Sequence, residues 1–295
     1  MERNDIEKIY SREKDNLLIN LSKDNNPLAV LLGGQSASGK GAIVDFVLNE
    51  HPDKSFLIVN GDNYRIYHPQ YKELIKNDIL NFSEKTQAFS NVFTENLIND
   101  AIANKYNIII EGTMRNADTS INTANLFKNN GYNVEAHVIA TNPLLSEINL
   151  YCRYAEEVSK FGAGRLADVK IHNQASRGMN NTADDLFRKK AVDKITIYTP
   201  SNSSTIGNNK NFILQKEKEL IYNGKEWNSM QRPSVHIDRY RDEQENNPEL
   251  LNKFLNNGTV AQQNINNKDV SKALSTALEN LEMQLHFVSK KGLSR

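Results

Sequence analysis

The segment that most constrains the architecture is LAVLLGGQSASGKGAIVDFVL, residues 28–48. It contains an apolar strand from Leu28 to Leu32, a loop with glycines at both ends, and an apolar helical stretch from Ala42. Glycines let the backbone amides of such a loop turn inward, and the following helix adds its positive N-terminal dipole. We therefore predict a phosphate-binding loop, rather than a purely structural turn, formed by Gly34, Gln35, Ser36, Ala37, Ser38, Gly39 and Lys40 and followed by Gly41.

The charge and metal chemistry of this loop depend on its last two residues. Lys40 supplies a mobile positive charge for the β and γ phosphates of a nucleotide. Gly41 stands where a serine or threonine normally offers a hydroxyl to Mg²⁺. Because Mg²⁺ keeps several waters and binds substrate phosphates, a water can take that position. We expect weakened metal affinity with the chemistry retained, and the sequence does not identify the metal ligands.

The composition excludes several classes of protein. Lys plus Arg and Asp plus Glu both number 36, so no net charge attracts nucleic acid without specific recognition. A mean hydropathy of −0.61 and short apolar runs exclude a bilayer-spanning helix. Cys152, the single cysteine, cannot form an intrachain disulfide, and the polar N-terminus is unlike a signal peptide. We expect a soluble cytoplasmic protein that binds neither nucleic acid nor membrane.

Further apolar runs alternate with helical stretches along the first two thirds of the chain. Because strands alternating with helices imply right-handed crossovers, we predict an α/β fold with a mainly parallel sheet flanked by helices. Ligands of such folds bind at the carboxyl ends of the strands. The predicted strands after the first run from Phe56 to Val59, Asn107 to Ile110, Val134 to Ala140 and Lys194 to Tyr198.

Three polar residues are predicted to cap helices. Asn142 precedes Pro143, which favours the first position of a helix. Asp118 is predicted to cap a helix that ends at Asn130-Gly131, and Ser83 to cap another.

The composition changes after about Tyr198. Asn and Ser accumulate from Ser201 to Asn211, which is typical of a loop. Between Val270 and Val288, leucines at positions 274, 278, 281 and 285 have helical spacing and predict a helix that packs on its own domain. We therefore expect a core over residues 1–200 and a C-terminal extension over residues 201–295, loop-rich and then helical, packed on that core.

Polar residues follow the second and third predicted strands. Asp62 follows the second, which we expect to lie beside the glycine loop, so it can accept a proton from an attacking hydroxyl or serve as a cap or turn residue. Glu111, Thr113 and Arg115 follow the third strand, and their three kinds of side chain suit a polyhydroxylated ligand. An internal ion pair between Glu111 and Arg115 is the alternative.

Two arginines lie on or after the helix that begins at Pro143. Arg153 and Arg165 can spread positive charge over a phosphoryl group in transfer, or they can be solvated surface charges.

Taken in order, these motifs resemble the zeta toxin family. The resemblance covers about Pro27 to Tyr198 and rests on the glycine loop at 34–40, Gly61-Asp62-Asn63-Tyr64-Arg65 with His68-Pro69, Glu111-Gly112-Thr113-Met114-Arg115, and Arg153-Tyr154 with Arg165. It implies a P-loop kinase of a bacterial toxin–antitoxin system that uses ATP and Mg²⁺ to phosphorylate the 3′-hydroxyl of the sugar in UDP-N-acetylglucosamine, which blocks cell-wall synthesis. Gly41 and the segment Leu166-Ala167-Asp168 depart from the family pattern.

The resemblance also implies roles for individual residues. Lys40 and the loop amides would hold ATP, Asp62 would be the general base, and Arg153 and Arg165 would neutralise the phosphoryl group. The UDP-sugar would be bound by Glu111, Thr113 and Arg115.

Family kinases are inhibited by a small helical antitoxin. Only about 27 residues precede the first predicted strand, so we expect the antitoxin to be a separate chain. Two alternatives remain: a P-loop kinase with a different small-molecule acceptor, and a non-catalytic nucleotide-binding module.

Overall fold

The apolar runs of the sequence form one six-stranded sheet in a computed structural model that describes residues 1–78, 81–162, 164–200 and 214–293. Its strands are Leu28–Gly33 (β1), Phe56–Asn60 (β2), Asn107–Glu111 (β3), Asn133–Ile139 (β4), Lys194–Pro200 (β5) and Leu214–Ile221 (β6). The spatial order is β2-β3-β1-β4-β5-β6; the first five strands run parallel, and β6 is antiparallel to β5. The predicted parallel sheet is confirmed.

The order of the strands corrects one expectation. β2 does not lie beside β1, because β3 pairs with both and places Glu111 opposite Leu32 on one side and Asn60 on the other. At about 4.8 Å between neighbouring strands, the ends of β1 and β2 lie about 10 Å apart. Asp62 and the glycine loop therefore face each other across the end of β3.

Helices cover both faces of the sheet. They are Arg3–Leu17 (α1), Gly41–Glu50 (α2), Gly61–Tyr64 (α3), Tyr71–Asn77 (α4), Phe82–Lys85 (α5), Gln87–Asn104 (α6), Ala117–Asn129 (α7), Pro143–Phe161 (α8), Val169–Arg188 (α9), Pro233–Glu245 (α10), Pro248–Gln263 (α11) and Lys268–Leu293 (α12), with a 3₁₀ turn at Arg65–Tyr67. No helix in the described parts of the chain is both long enough and apolar enough to cross a membrane.

The helix caps test the sequence predictions one by one. Asn142 caps α8, where its side chain accepts from the Leu144 amide, and Pro143 takes the first helical position as predicted. Asp118 does not cap α7: Asn116 is extended and accepts from the Thr119 amide, while Asp118 lies in the first turn, where the helix dipole favours a carboxylate. Ser83 is likewise not a cap, since it lies inside α5.

The core lies on the two faces of the sheet and under α8. On one face, α6, α7, α9 and α10 pack against alternate residues of the strands. On the other, Ile43, Val44 and Val47 of α2 cover β1 and β3. A third cluster joins α8 to α11 and α12. The sheet edge that carries the predicted site is thus supported from both sides.

Residues after 213 add to both the sheet and the helical layers. β6 pairs with β5, and α10 packs against α9 and β5. Leu274 and Leu281 of α12 are fully buried in the cluster with α8 and α11. The extension thus contains a strand that we did not predict. The loop predicted from Ser201 to Asn211 lies outside the described residues, and the boundary near residue 200 stays a prediction.

Candidate functional site

The glycine loop joins β1 to α2 and is closed by its own lysine. Ala37 and Gly39 adopt left-handed backbone conformations, with φ of 56° and 101°. The Lys40 ammonium donates to the carbonyls of Gly34 at 2.7 Å and Gln35 at 2.8 Å. No side chain caps α2, and its Ala42 and Ile43 amides donate to the carbonyls of Gly39 at 3.1 Å and Lys40 at 2.9 Å. No described hydrogen bond uses the amides of residues 39–41, so these are available to an anion. The predicted loop thus has the form of a phosphate cradle.

Residues at the end of β4 and the start of α8 brace this loop. The Gln35 side-chain amide donates to the Thr141 carbonyl at 2.8 Å and to the Ser146 hydroxyl at 2.9 Å. The Thr141 hydroxyl donates to the Ser38 carbonyl at 2.8 Å. We did not predict Thr141 or Ser146 as site residues, because each lies more than 100 positions from its loop partner and neither belongs to a motif.

Buried polar atoms without partners collect at the same loop. They are Gln35 Oε1, Ser38 Oγ and Asn149 Oδ1, while Asn149 Nδ2 donates to the Ala37 carbonyl at 3.3 Å. Buried polar atoms normally find a hydrogen-bond partner, and exceptions concentrate at functional sites. These atoms therefore favour a polar ligand or ordered water in the loop.

The charge of Lys40 interacts with several of the charged residues that we predicted for the site. Burial lowers the pKa of Lys40 to about 8. The negative charge of Glu111 opposes this lowering, as does that of Asp62, whereas the positive charge of Arg153 adds to it. The charge of Asp62 also acts on Arg153 and on Arg165. Glu111, Asp62 and Arg153 thus lie near enough for their charges to act on Lys40, and Arg165 interacts with Asp62 and Arg153 in the same way.

Asp62 is held in place by a buried arginine. Its Oδ1 accepts from Arg65 Nε at 2.9 Å, and Arg65 is only 5% exposed. The rest of that guanidinium donates to the Ser83 carbonyl and the Thr86 hydroxyl, each at 2.7 Å, and to Gln87 Oε1 at 3.0 Å. Arg65 belongs to a motif in the sequence, but we assigned it no role, because its partners on α5 and α6 are visible only in the fold.

The alternative role of Asp62 as a helix cap is not observed. Asn60 caps α3 instead, and its side chain accepts from the Asp62 amide at 3.0 Å. The Asp62 side chain is 59% exposed, and its only hydrogen bond among the described contacts uses Oδ1. Its Oδ2 is therefore available to a ligand.

The end of β3 carries the residues predicted to bind a polyhydroxylated ligand. Met114 is buried with φ of 50°, a left-handed conformation that turns the chain between Thr113 and Arg115. Gly178 of α9 allows close approach here, since a Cβ on it would lie 2.3 Å from the Arg115 carbonyl oxygen. The described contacts of Glu111 and Arg115 include no ion pair between them, so that alternative is wrong.

The two predicted arginines differ in how they are held. The Arg153 side chain is exposed to solvent, and no described hydrogen bond holds it. Partial desolvation lowers the pKa of its guanidinium, an effect that Arg165 reinforces and that Glu157 and Asp62 oppose. Arg165 Nη2 pairs with Glu157 Oε1 at 3.2 Å, and its backbone amide donates to Oε2 at 2.7 Å. Glu157 was not predicted and anchors the segment that carries Arg165.

The segment after Arg165 has a structural role. Asp168 caps α9 by accepting from the amides of Lys170 at 2.7 Å and Ile171 at 3.3 Å. Ala163, just before this segment, lies outside the described residues.

The donor groups of the site fit a nucleotide phosphate better than a tightly held metal. A Cβ at Gly41 would meet nothing within 4 Å, so the position is open and offers no hydroxyl. The carboxylates whose charges act on Lys40 are Glu111 and Asp62. Within the described residues, no group of three or more His, Cys, Asp and Glu side chains is arranged to hold a metal ion.

A parallel sheet with a glycine loop between its central strand and the next helix, and a lysine at the end of that loop, defines an α/β protein of the P-loop kinase fold. The site at the carboxyl edge of the sheet agrees with that class. The sequence profile of the zeta toxin family matches residues 14–212, and the chain belongs to that family.

Similar proteins agree with this membership. Toxin PezT of Streptococcus pneumoniae serotype 4 is 29% identical over 218 residues, which cover 73% of this chain and 85% of that protein. Toxin zeta of Streptococcus pyogenes is 28% identical over 211 residues, covering 68% of this chain and 72% of that protein. A solved structure from the PezAT chromosomal toxin–antitoxin system of S. pneumoniae has a TM-score of 0.65 at 23% identity, covering 97% of this chain and 98% of that chain. The chain is thus a toxin of the zeta and PezT type.

Proposed function

We propose that the protein is an ATP-dependent kinase that phosphorylates the 3′-hydroxyl of the amino sugar of UDP-N-acetylglucosamine or a related UDP-sugar. The observation that carries the proposal is the placement of Asp62 and the Lys40 loop on one sheet edge, separated by the end of β3. The ends of the two strands that lead into them are about 10 Å apart, which is compatible with a sugar hydroxyl between a base and a phosphate.

The residues of the site divide the reaction between them. Lys40 and the loop amides bind the phosphates of ATP, which gives its γ-phosphoryl group to the acceptor and leaves as ADP. Mg²⁺ would supply further positive charge for this transfer, and substrate phosphates and water would hold it. Asp62 accepts the proton of the attacking hydroxyl at Oδ2, because Arg65 occupies Oδ1. Arg153 and Arg165 stabilise the negative charge of the phosphoryl group in transfer.

The acceptor is bound at the end of β3. Glu111 and Thr113 offer oxygen atoms that pair with sugar hydroxyls, and Arg115 offers a guanidinium that pairs with a diphosphate. The left-handed turn at Met114 and the close packing of Gly178 hold this segment against α9.

The biological role follows from the acceptor. Phosphorylation of UDP-N-acetylglucosamine removes a precursor of the cell wall, so the protein would act as a cytoplasmic toxin. We propose that a separate antitoxin chain restrains it. The relative from the PezAT system, which is a toxin–antitoxin system, supports this partner.

Mass spectrometry tests the proposal directly. The protein is incubated with ATP, Mg²⁺ and UDP-N-acetylglucosamine, and we expect a product heavier by one phosphate. A panel of UDP-sugars, nucleosides and antibiotics with labelled ATP tests whether the acceptor belongs to another class.

Gly41 favours one further candidate, a non-catalytic nucleotide-binding module, because the position lacks the hydroxyl that normally binds Mg²⁺. That candidate requires ATP binding without acceptor-dependent release of ADP. Release of ADP that depends on a UDP-sugar excludes it.

A further inference from the structure

Gln244 on α10, in the part of the chain after residue 213, is buried against the end of β4. Its Oε1 accepts from the Asn142 amide at 2.9 Å, and its Nε2 donates to the Ala140 carbonyl at 2.6 Å. One carboxamide thus holds both residues that flank Thr141. The Gln244 side chain is also held by its own helix, because Nε2 donates to the Tyr240 carbonyl at 3.1 Å.

Thr141 forms two hydrogen bonds with the glycine loop. Its carbonyl accepts from Gln35 and its hydroxyl donates to the Ser38 carbonyl, each at 2.8 Å. A continuous series of hydrogen bonds therefore runs from Gln244 through residues 140–142 to the loop.

Burial makes this series rigid. Gln244 is 7% exposed, and Thr141 and Gln35 are fully buried, so bulk solvent does not compete for these hydrogen bonds and breaking one is costly. A second bond system joins the same elements, since Asn142 Nδ2 lies 3.4 Å from both the Arg241 carbonyl and Glu245 Oε2. A movement of α10 would therefore displace residues 140–142, which contact the glycine loop.

We propose that Gln244 is a positioning residue that holds the glycine loop in the shape that binds nucleotide phosphates. The C-terminal extension is then part of the nucleotide-binding machinery and more than a cover for α8. This inference rests on the proposed function only in taking the loop as an ATP site, and it is independent of the acceptor.

The test compares two glutamines of the extension. Gln244→Met keeps the length of the side chain and removes both bonds to residues 140–142. Gln284→Met is the matched control, because Gln284 Nε2 donates to the Glu245 carbonyl at 3.1 Å and does not contact residues 140–142. Each purified full-length variant is titrated with ATP and Mg²⁺ by calorimetry, its thermal unfolding is recorded, and hydrogen–deuterium exchange is followed over residues 34–41.

For Gln244→Met we expect ATP affinity to fall about 10-fold, a change of about 1.4 kcal/mol in binding free energy, because the glycine loop loses the hydrogen bonds that position residues 140–142 beneath it. Exchange over residues 34–41 should become faster, and the KM for ATP should rise with the KM for the acceptor unchanged. Gln284→Met should keep wild-type affinity and loop exchange.

Several results would overturn the inference. If Gln244→Met lowers the melting temperature but keeps wild-type ATP affinity and loop exchange, Gln244 serves packing alone. If Gln244→Met does not fold, Thr141→Val, which removes the bond to Ser38 without altering α10, takes its place, and wild-type ATP affinity in that variant contradicts the proposal. A wild-type protein that binds no ATP removes the basis of the inference, whereas one that binds ATP but transfers no phosphate contradicts only the proposed function.

Discussion

Lys40 gives the site a dependence on pH. Burial lowers its pKa to about 8 in the free protein, and the protonated form is the one that attracts phosphate. Affinity for ATP should therefore be retained below pH 8 and fall by up to about tenfold per pH unit above it, with uptake of a proton on binding. Calorimetry in buffers of different ionisation enthalpy measures that uptake. Lys40→Met should bind weakly and without this dependence, and constant wild-type affinity from pH 7 to 9.5 contradicts the account.

Arg65 should control the orientation of Asp62. Arg65→Lys keeps the positive charge but cannot reproduce four hydrogen bonds from one planar group. We expect the kcat of phosphoryl transfer to fall about 10-fold or more, since small errors in position are costly, with the KM for ATP unchanged. Steady-state kinetics with both substrates varied separates the two constants. A normal kcat would mean that Asp62 needs no such support.

Adding a hydroxyl group at position 41 tests whether Mg²⁺ binds beside this residue. The position has open space around the missing Cβ, so Gly41→Ser fits without displacing a neighbour. We expect the serine hydroxyl to raise Mg²⁺-dependent nucleotide affinity by about 10-fold. Gly41→Ala is the control, because it adds the same Cβ without the oxygen. Equal affinities for the two variants in titrations with Mg²⁺ would show that the metal does not bind near this position.

The close contact between α9 and the end of β3 should determine acceptor binding. Gly178→Ala places a Cβ against the Arg115 backbone, so the segment that carries Thr113 and Arg115 must move. We expect a loss of about 1–3 kcal/mol in stability and a raised KM for the UDP-sugar, with ATP affinity unchanged. Thermal unfolding and acceptor kinetics measure the two effects. Gly131→Ala, which meets no neighbour but occupies a position with φ of 77°, is a control for strain away from the site.

The strands show which elements the sequence makes predictable. β1 to β5 are buried apolar runs, and all five were found from the sequence. β6 has the sequence LQKEKELI and lies at the sheet edge, where charged side chains are favoured, so it gave no apolar signal. The cap of α7 was misplaced by two residues because Asn116 and Asp118 are both good capping residues, and only the backbone conformation selects between them.

The arrangement of the site was only partly predictable. The motifs drew attention to Lys40 and to the carboxylate and arginine residues, because these lie in the glycine loop, after strand ends, or on or after α8. Their catalytic and binding roles stay predictions. They did not give the order of β2, β3 and β1, since the sequence order of strands does not determine their order in the sheet. Thr141 and Gln244 could not be found either, because their roles depend on contacts between segments far apart in the sequence.

In the whole molecule, the residues of the proposed reaction lie at one edge of the sheet, the edge that also carries the motifs of the family. The loop after β1, Asp62 after β2 and Glu111 at the end of β3 meet there, with arginines from α8 and the following segment. The part of the chain after residue 213 contributes to this site through α10, whose Gln244 forms hydrogen bonds with Asn142 and Ala140 at the end of β4.

The most direct test of this arrangement compares the wild-type protein with Asp62→Asn in the presence of ATP, Mg²⁺ and UDP-N-acetylglucosamine. Mass spectrometry measures the rate of formation of the phosphorylated sugar nucleotide, and calorimetry measures ATP affinity. We predict that Asp62→Asn keeps wild-type ATP affinity and forms product about 10²-fold more slowly, the size of a general-base contribution. An unchanged rate in Asp62→Asn, or no phosphorylated product from the wild-type protein, would contradict the account.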